Sequence, residues 1–463
     1  MQTDTSSFGE QLSHMVVEPP GPISRQLAER LARVESPAAS AISRGEIPVF
    51  WDRSLGANIQ DVDGNTYVDM TGGFFVTAAG HSNPRIAAAI AQQSEKLMHS
   101  MGCINPNLPR VELAEKLAEI APGELSVSYL ANTGGEAVDM ALKTARLYTG
   151  KNTVIACQGG FHGKTMASLS VTSKNYFREP WQPLLTGAVH VPYAACYRCP
   201  FGKEYPTCHL LCADYVEFVL NSPSSGVADV AALILEPVQG LGGVVIPPPE
   251  YLQRVEQICR AKDILLVVDE IITGFGRTGR MFGVEHSGIQ PDIMVLGKGI
   301  ASGFPISAAI TTSEIASCWG AEQHTSTFLG HPVGCAAALA GIAEIEENGL
   351  VNRSAESGQW LLAALKNLQN RHPLIGDVRG QGLMAAVELV TDRASKKPAT
   401  HAAGVVVQEC LKRGLMATLR GGEYSNCLRL APSFTITQAQ LEFAIQVLDQ
   451  ALAVAAEQEL VSA

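Results

Sequence analysis

Six short apolar runs alternate with helix-patterned stretches through the middle of the chain, and this alternation limits the possible folds more than any other feature. The runs are Thr153 to Ala156, Ala188 to Val191, Ala231 to Leu235, Ile264 to Val268, Ile293 to Leu296 and Ser307 to Thr311. Several are apolar almost throughout, as strands are when helices cover both faces of a sheet. Tyr251 to Ala261 reads as a helix opened by Pro247-Pro248-Pro249. The order predicts an α/β fold on a mostly parallel central sheet.

Both ends read differently. Phe50 to Met70 alternates and carries the turn Asp61-Val62-Asp63-Gly64-Asn65, which predicts a hairpin. Gly334 to Glu347 and Ala355 to Asn370 are patterned as helices, with short strands between Val378 and Val390. The expected organisation is a large domain over 76–334 and a smaller α+β domain made by both ends, 1–75 and 335–463. A length of 463 residues with 46% hydrophobic content supports such a division, since domains average roughly 150 residues.

Thirty-four basic and 45 acidic residues give a formal charge of -11, spread without a charged tail. That argues against nucleic acid or an anionic membrane as partner. Met1 to Ser13 shows neither an apolar signal core nor an Arg-rich amphipathic pattern, and no apolar run approaches the roughly 20 residues a bilayer needs. The expectation is a cytoplasmic protein with its 11 cysteines reduced.

Three segments carry chemistry. Asn132-Thr133-Gly134-Gly135-Glu136-Ala137 precedes a helical pattern, so backbone N–H groups can approach a phosphate at the positive end of a helix; the same residues also suit a plain helix cap. Asp269-Glu270 ends the run Val267-Val268, where ligands bind in open α/β sheets. A protonated pyridine nitrogen would satisfy Asp269 and keep such a ring an electron sink; a salt bridge is the plainer alternative. Gly297-Lys298-Gly299 follows the strand ending at Leu296, and a lysine desolvated there becomes an imine-forming nucleophile. Gly274 to Gly279 matches the dinucleotide pattern G-x-G-x-x-G, but no helix pattern follows it, which argues against a nicotinamide site.

In order, these supply a phosphate cradle, an acid for a ring nitrogen and an amine for an aldehyde. Together with Thr327-Phe328-Leu329-Gly330-His331-Pro332, they resemble the class III aminotransferases of the fold type I pyridoxal-5′-phosphate (PLP) family. The likeness runs from Gly56 to Pro432. It implies that Thr133, Gly134 and Gly135 hold the phosphate, that Phe161, beside His162, stacks on one face of the ring, and that Ile271 and its neighbour Ile272 lie by the other. Asp269 would meet the ring nitrogen and Lys298 the aldehyde, with Glu236 nearby. Thr327 would reach the cofactor of a neighbouring subunit, so the active unit is a homodimer or larger. Arg429 would grip a substrate carboxylate. The activity implied is ping-pong amino transfer from an amino acid or amine to a 2-oxo acid or other carbonyl.

Two departures bear on substrate. Leu241 stands where the 4-aminobutyrate and ornithine branches place a glutamate that parks the carboxylate-binding arginine, and Ile272 replaces a glutamine. Both shift the expectation away from those branches, and Phe74 and Phe75 favour an apolar portion of substrate. An insert over 194–213 carries Cys196, Cys199, Cys208 and Cys212 at the spacing C-x2-C-x8-C-x3-C, which admits a structural zinc. The nearest rival activities are amino-acid racemisation or epimerisation and decarboxylating transamination, which share the electron sink. A catalytically dead scaffold would be expected to lack Lys298 or Asp269, and both are present.

Overall fold

A computed structural model describes residues 8–39, 42, 45–184 and 187–462. The first seven residues of the amino-terminal stretch, and of the 1–75 segment, lie outside the described residues.

Seven strands form the main sheet: β1 (Val127–Ala131), β2 (Thr153–Cys157), β3 (Ala188–Val191), β4 (Val230–Leu235), β5 (Leu265–Asp269), β6 (Ile293–Leu296) and β7 (Ser307–Thr311). Their order is β1-β7-β6-β5-β4-β2-β3. Strand β7 runs antiparallel to both neighbours, and the remaining pairs are parallel. All six expected runs are strands within a residue of their expected limits. β4, β5 and β6 are buried at every position, which is why they read as unbroken apolar runs.

Strand β1 was absent from the expectation because it lies at the sheet edge with three of its five residues partly or fully exposed. Helix α1 (Gly134–Thr149) follows it and packs across the sheet, with Ala137, Val138, Ala141 and Ala145 buried at helical spacing.

Outside this sheet, Asn58–Asp61 and Thr66–Asp69 form the expected antiparallel pair across the Asp61 to Asn65 turn. Leu415–Met416 pairs in parallel with Val68 and Asp69, joining the two ends of the chain in one sheet. A further sheet is built from Ile375–Gly380, Ala385–Asp392, Thr418–Gly421 and Cys427–Leu430. Helices Pro332–Glu347 and Leu350–Arg371 occupy the expected downstream segments. Among the described residues no helix is long and apolar enough to cross a membrane.

Candidate active site

Five strands pointing the same way end on one edge of the main sheet, and each delivers candidate residues there. Gly134 and Gly135 follow β1, Phe161 and His162 lie in the loop after β2, Glu236 follows β4, Asp269 closes β5 and Lys298 stands two residues beyond β6. This is the edge where open α/β sheets bind ligands. Parallel strands space the groups, and the buried strand bodies hold them.

Asp269 is 3% exposed. Its Oδ1 accepts the Ile271 N–H at 3.0 Å and its Oδ2 accepts His162 Nδ1–H at 2.8 Å. A carboxylate offers about four acceptor sites, so room remains for another N–H donor. Burial works against protonation of His162, but the hydrogen bond and charge of Asp269 outweigh it and raise the imidazole above its ordinary value. His162 Nε2 is buried without a hydrogen-bond partner among the described residues.

Glu236 is also buried. Its carboxylate accepts the Phe161 N–H at 3.0 Å and the Gly240 N–H at 2.8 Å, and burial pushes it up to about 7. Glu270, fully buried, turns away to a structural task. It accepts the N–H groups of Gly283 and Val284 at 2.9 and 2.8 Å and the Thr273 hydroxyl. Burial pushes it, too, up to about 7.

Lys298 sits at φ 41°, in the left-handed region between its two glycines. Part of its surface stays open. The protein around it lowers its ammonium to about 8, mainly by desolvation, against the opposing charges of Asp269 and Glu236. The amine is therefore partly neutral near neutral pH, as a nucleophile toward a carbonyl must be.

The helix-cap reading of this segment is realised. Thr133 and Glu136 form a reciprocal capping box, which uses the Glu136 and Thr133 N–H groups. The N–H groups of Gly134 and Gly135, at the first two helical positions, have no partner among the described residues. A Cβ on Gly134 would stand 2.8 Å from Ile271 Cδ1, so any larger residue there would have to displace the end of the Ile271 side chain. A Cβ on Gly297 would likewise meet Ile271, at 3.4 Å. Ile271 thus spans the cradle and the lysine loop.

Arg429, on Cys427–Leu430, is 3% exposed, with its guanidinium 5.3 Å from the Phe75 ring centroid. Phe75 belongs to an unusual turn. Gly72, Gly73, Phe74 and Phe75 all have positive φ, between 53° and 68°, and each non-glycine residue costs roughly 1–2 kcal/mol there. Asp69 holds the turn, accepting the Thr71 and Gly73 N–H groups at 2.7 and 3.2 Å and pairing with His81 at 2.8 Å. Gly72 also lies so close to the Arg429 strand that a Cβ would stand 2.3 Å from the Ala431 carbonyl oxygen. Phe75, Ile272, Val238 and Val244 form one apolar cluster. Phe74, by contrast, is 51% exposed.

The Leu241 carbonyl accepts the Gly422 N–H at 2.9 Å. Lys174, which no pattern in the sequence singled out, donates to the Gly422 carbonyl at 3.4 Å and is lowered by burial and by the charge of Arg429. Arg277 of the glycine-rich segment is almost fully buried, bonded to the carbonyls of Leu383 and Pro432 and stacked on Phe434. Only the single 3-10 turn Gly283–His286 follows it, not an α-helix, so the dinucleotide pattern is a structural turn.

Thr327 lies on an exposed turn, and among the described residues no hydrogen bond links it to the other candidate residues. The cysteine expectation needs correction. Cys196, Cys199, Cys208 and Cys212 line one small cavity, yet among the described residues no three His, Cys, Asp or Glu side chains are placed to hold a metal. Burial raises Cys196, and it raises Cys212 to about 11. Spacing alone did not fix convergence of four sulfurs.

A buried acid paired with histidine, a desolvated lysine and an open helix end define an enzyme of amine and carbonyl chemistry. The family model for class III aminotransferases matches residues 39–452, and the chain belongs to that family. It is 39% identical over 407 residues to isoleucine 2-epimerase of Lentilactobacillus buchneri, covering 86% of this chain and 89% of that one. It is 36% identical over 458 residues to 4-aminobutyrate aminotransferase of Mycobacterium leprae, covering 96% and 98%. The structure of the omega transaminase from Pseudomonas jessenii in complex with PMP matches with a TM-score of 0.86 at 31% identity, covering 93% and 98%. The chain is an aminotransferase of the fold type I architecture.

Proposed function

We propose that this aminotransferase works with PLP, on a donor that carries both a carboxylate and an apolar side chain. In this reading Gly134 and Gly135 donate their N–H groups to the phosphate beside Thr133, and Phe161 and Ile271 lie against opposite faces of the ring. Asp269, oriented by His162, takes the ring nitrogen, and Glu236 and Ile272 complete the surround. Bound there, PLP supplies a sink for the electron pair left on the donor carbon when its proton departs. Lys298 Nζ takes that proton and returns one, a task matched to a group that titrates near 8. Arg429, with Phe75 and Leu241 around it, receives the carboxylate.

The observation that carries the reading is the Asp269–His162 pair on the sheet edge that also delivers Lys298, near enough for the charge of Asp269 to act on its amine, with an open helix end on the same edge. The test is a donor panel with PLP-loaded protein and no acceptor. Amino transfer predicts stoichiometric pyridoxamine phosphate and a carbonyl product. Inversion of the donor carbon with PLP retained would instead favour racemisation or epimerisation, the latter being the activity that the isoleucine 2-epimerase relative is named for. Arg429→Ala should weaken carboxylate donors far more than plain amines; equal losses would refute its role.

The assembly proposed is a homodimer in the cytoplasm, with 76–334 as the cofactor-binding body. Met98, Met101, Ile104, Leu108 and Phe328 are all more than half exposed, and a Cβ on Gly102 would stand 2.9 Å from the Leu329 carbonyl oxygen and 3.2 Å from that of Ser326, so this apolar surface lies beside the Thr327 turn and a second copy of the chain would cover it. The partner's copy of the Thr327 turn would then complete the phosphate site.

A further inference from the structure

The cysteine-bearing insert has no place in the chemistry above, but it is wired to the arginine strand. Arg198, in the turn Cys196–Arg198, forms an ion pair with Glu388 Oε1. Glu388 is 3% exposed, and its other oxygen pairs with Arg379 Nη2 at 2.8 Å. Arg379 Nη1 binds Asp377 at 2.6 Å, and its Nε donates to the carbonyls of Gly243 and Val244 at 2.9 and 3.1 Å. The sheet register puts Arg379 opposite Ala386 and Ala386 opposite Arg429. These side chains therefore share one face, together with Glu388 and Cys427, which are paired across the same two strands.

Two features near this chain of charges need support. Val244 has φ 54°, a left-handed conformation that a β-branched residue adopts only when its surroundings impose it. Its turn begins just after Leu241, whose carbonyl holds Gly422. A Cβ on Gly421 would stand 2.6 Å from Arg429 Cδ, so the Gly421-Gly422 segment lies directly over the arginine side chain. The two carbonyls that Arg379 grips are thus the anchor of the turn that borders Arg429.

We infer that Arg198 is a specificity-positioning residue, fixing the Leu241 to Val244 turn and the Gly421-Gly422 cover around Arg429 through Glu388 and Arg379. The inference rests on Arg429 being the carboxylate-binding group. It predicts that the insert shapes recognition of the donor's carboxylate end and leaves the cofactor end alone.

The experiment compares wild type with Arg198→Ala and Arg198→Lys as PLP-loaded protein. For an amino-acid donor, Arg198→Ala should raise KM about tenfold with kcat little changed, as loss of uniform binding does. KM for a plain primary amine should stay within about twofold, and Arg198→Lys should recover part of the loss. Amide hydrogen exchange over 241–245 and 421–427 should quicken in Arg198→Ala while 265–269 stays unchanged. Equal changes for both donors, or unchanged exchange in the two segments, would overturn the inference. If wild type turns over neither donor, the donor reading fails, and the exchange result alone decides whether Arg198 positions these segments.

Discussion

Lys298 condenses with an aldehyde only as the neutral amine. An ordinary lysine, titrating near 10.5, is about 0.03% neutral at pH 7, whereas one titrating near 8 is about 9% neutral, a gain of roughly 300-fold. Desolvation at the end of β6 lowers Lys298 to about 8, and Asp269 and Glu236 hold it from falling further. The perturbation is therefore pH, followed by Asp269→Asn. Apoprotein is mixed with limiting PLP between pH 6 and 10, and the initial rate of growth of the visible absorbance formed on condensation is measured. The rate should rise with unit slope and level off near pH 8. Asp269→Asn removes a charge that favours the ammonium form, so its break should move to lower pH; Glu236→Gln should act in the same direction where Glu236 is ionised, above about 7. The sign also fixes a stability effect. Lys298 binds its proton less tightly folded than unfolded, so apoprotein should gain stability as pH rises from about 8 to 10.5, and Lys298→Met should lack that gain. A break near 10 in wild type, or one that Asp269→Asn leaves in place, would refute the argument.

Gly134→Ala should weaken PLP binding about threefold, because its Cβ would stand 2.8 Å from Ile271 Cδ1 and displace that side chain at the cradle; titration followed by tryptophan emission would check it, and unchanged affinity would count against Ile271 bordering the cofactor. Ile104→Glu combined with Met101→Lys should shift the protein toward monomer in sedimentation velocity and reduce activity, since both side chains are more than half exposed on the proposed interface. Phe74→Gly should leave thermal stability equal or higher by up to about 1 kcal/mol, because strain at φ 66° is relieved and little packing is lost; a loss of that size would show that the turn is not strained.

The sequence made the central sheet legible because β4, β5 and β6 are buried on both faces, so their burial appears directly as composition. It made Asp269 and Lys298 legible because each sits at the end of such a run. Direction was not legible: Ser307 to Thr311 is buried at every position like its neighbour Ile293 to Leu296, and nothing in a buried run says that β7 runs against it. Strand β1 escaped because an edge strand with Ser128 and Tyr129 partly exposed shows no clear period. Arg198, Glu388 and Arg379 left no trace either. Ion pairs between residues far apart in the chain have no spacing, and each arginine alone reads as a solvated charge. The cysteines show the reverse failure, a suggestive spacing whose side chains the fold does not bring into a metal shell.

Six of the fourteen non-glycine residues with positive φ among the described residues belong to turns that carry or border the candidate side chains. Phe74, Phe75, Val244, Phe275, Lys298 and Ser302 all lie in the left-handed region, which costs roughly 1–2 kcal/mol for each such residue. Close to these positions stand buried polar anchors: Asp69 with His81 under the Phe75 turn, Arg379 with Glu388 under Val244, and Ser302 Oγ accepting the Ala79 N–H at 3.0 Å. Such strain persists only when surrounding structure over-determines it. The anchors come from segments on both sides of the main sheet in sequence, and they connect the Lys298 loop to the residues around Arg429. A cofactor end and a substrate end set by different parts of the chain are thereby held at one spacing, and altering an anchor should change which donors fit before it changes how Lys298 reacts.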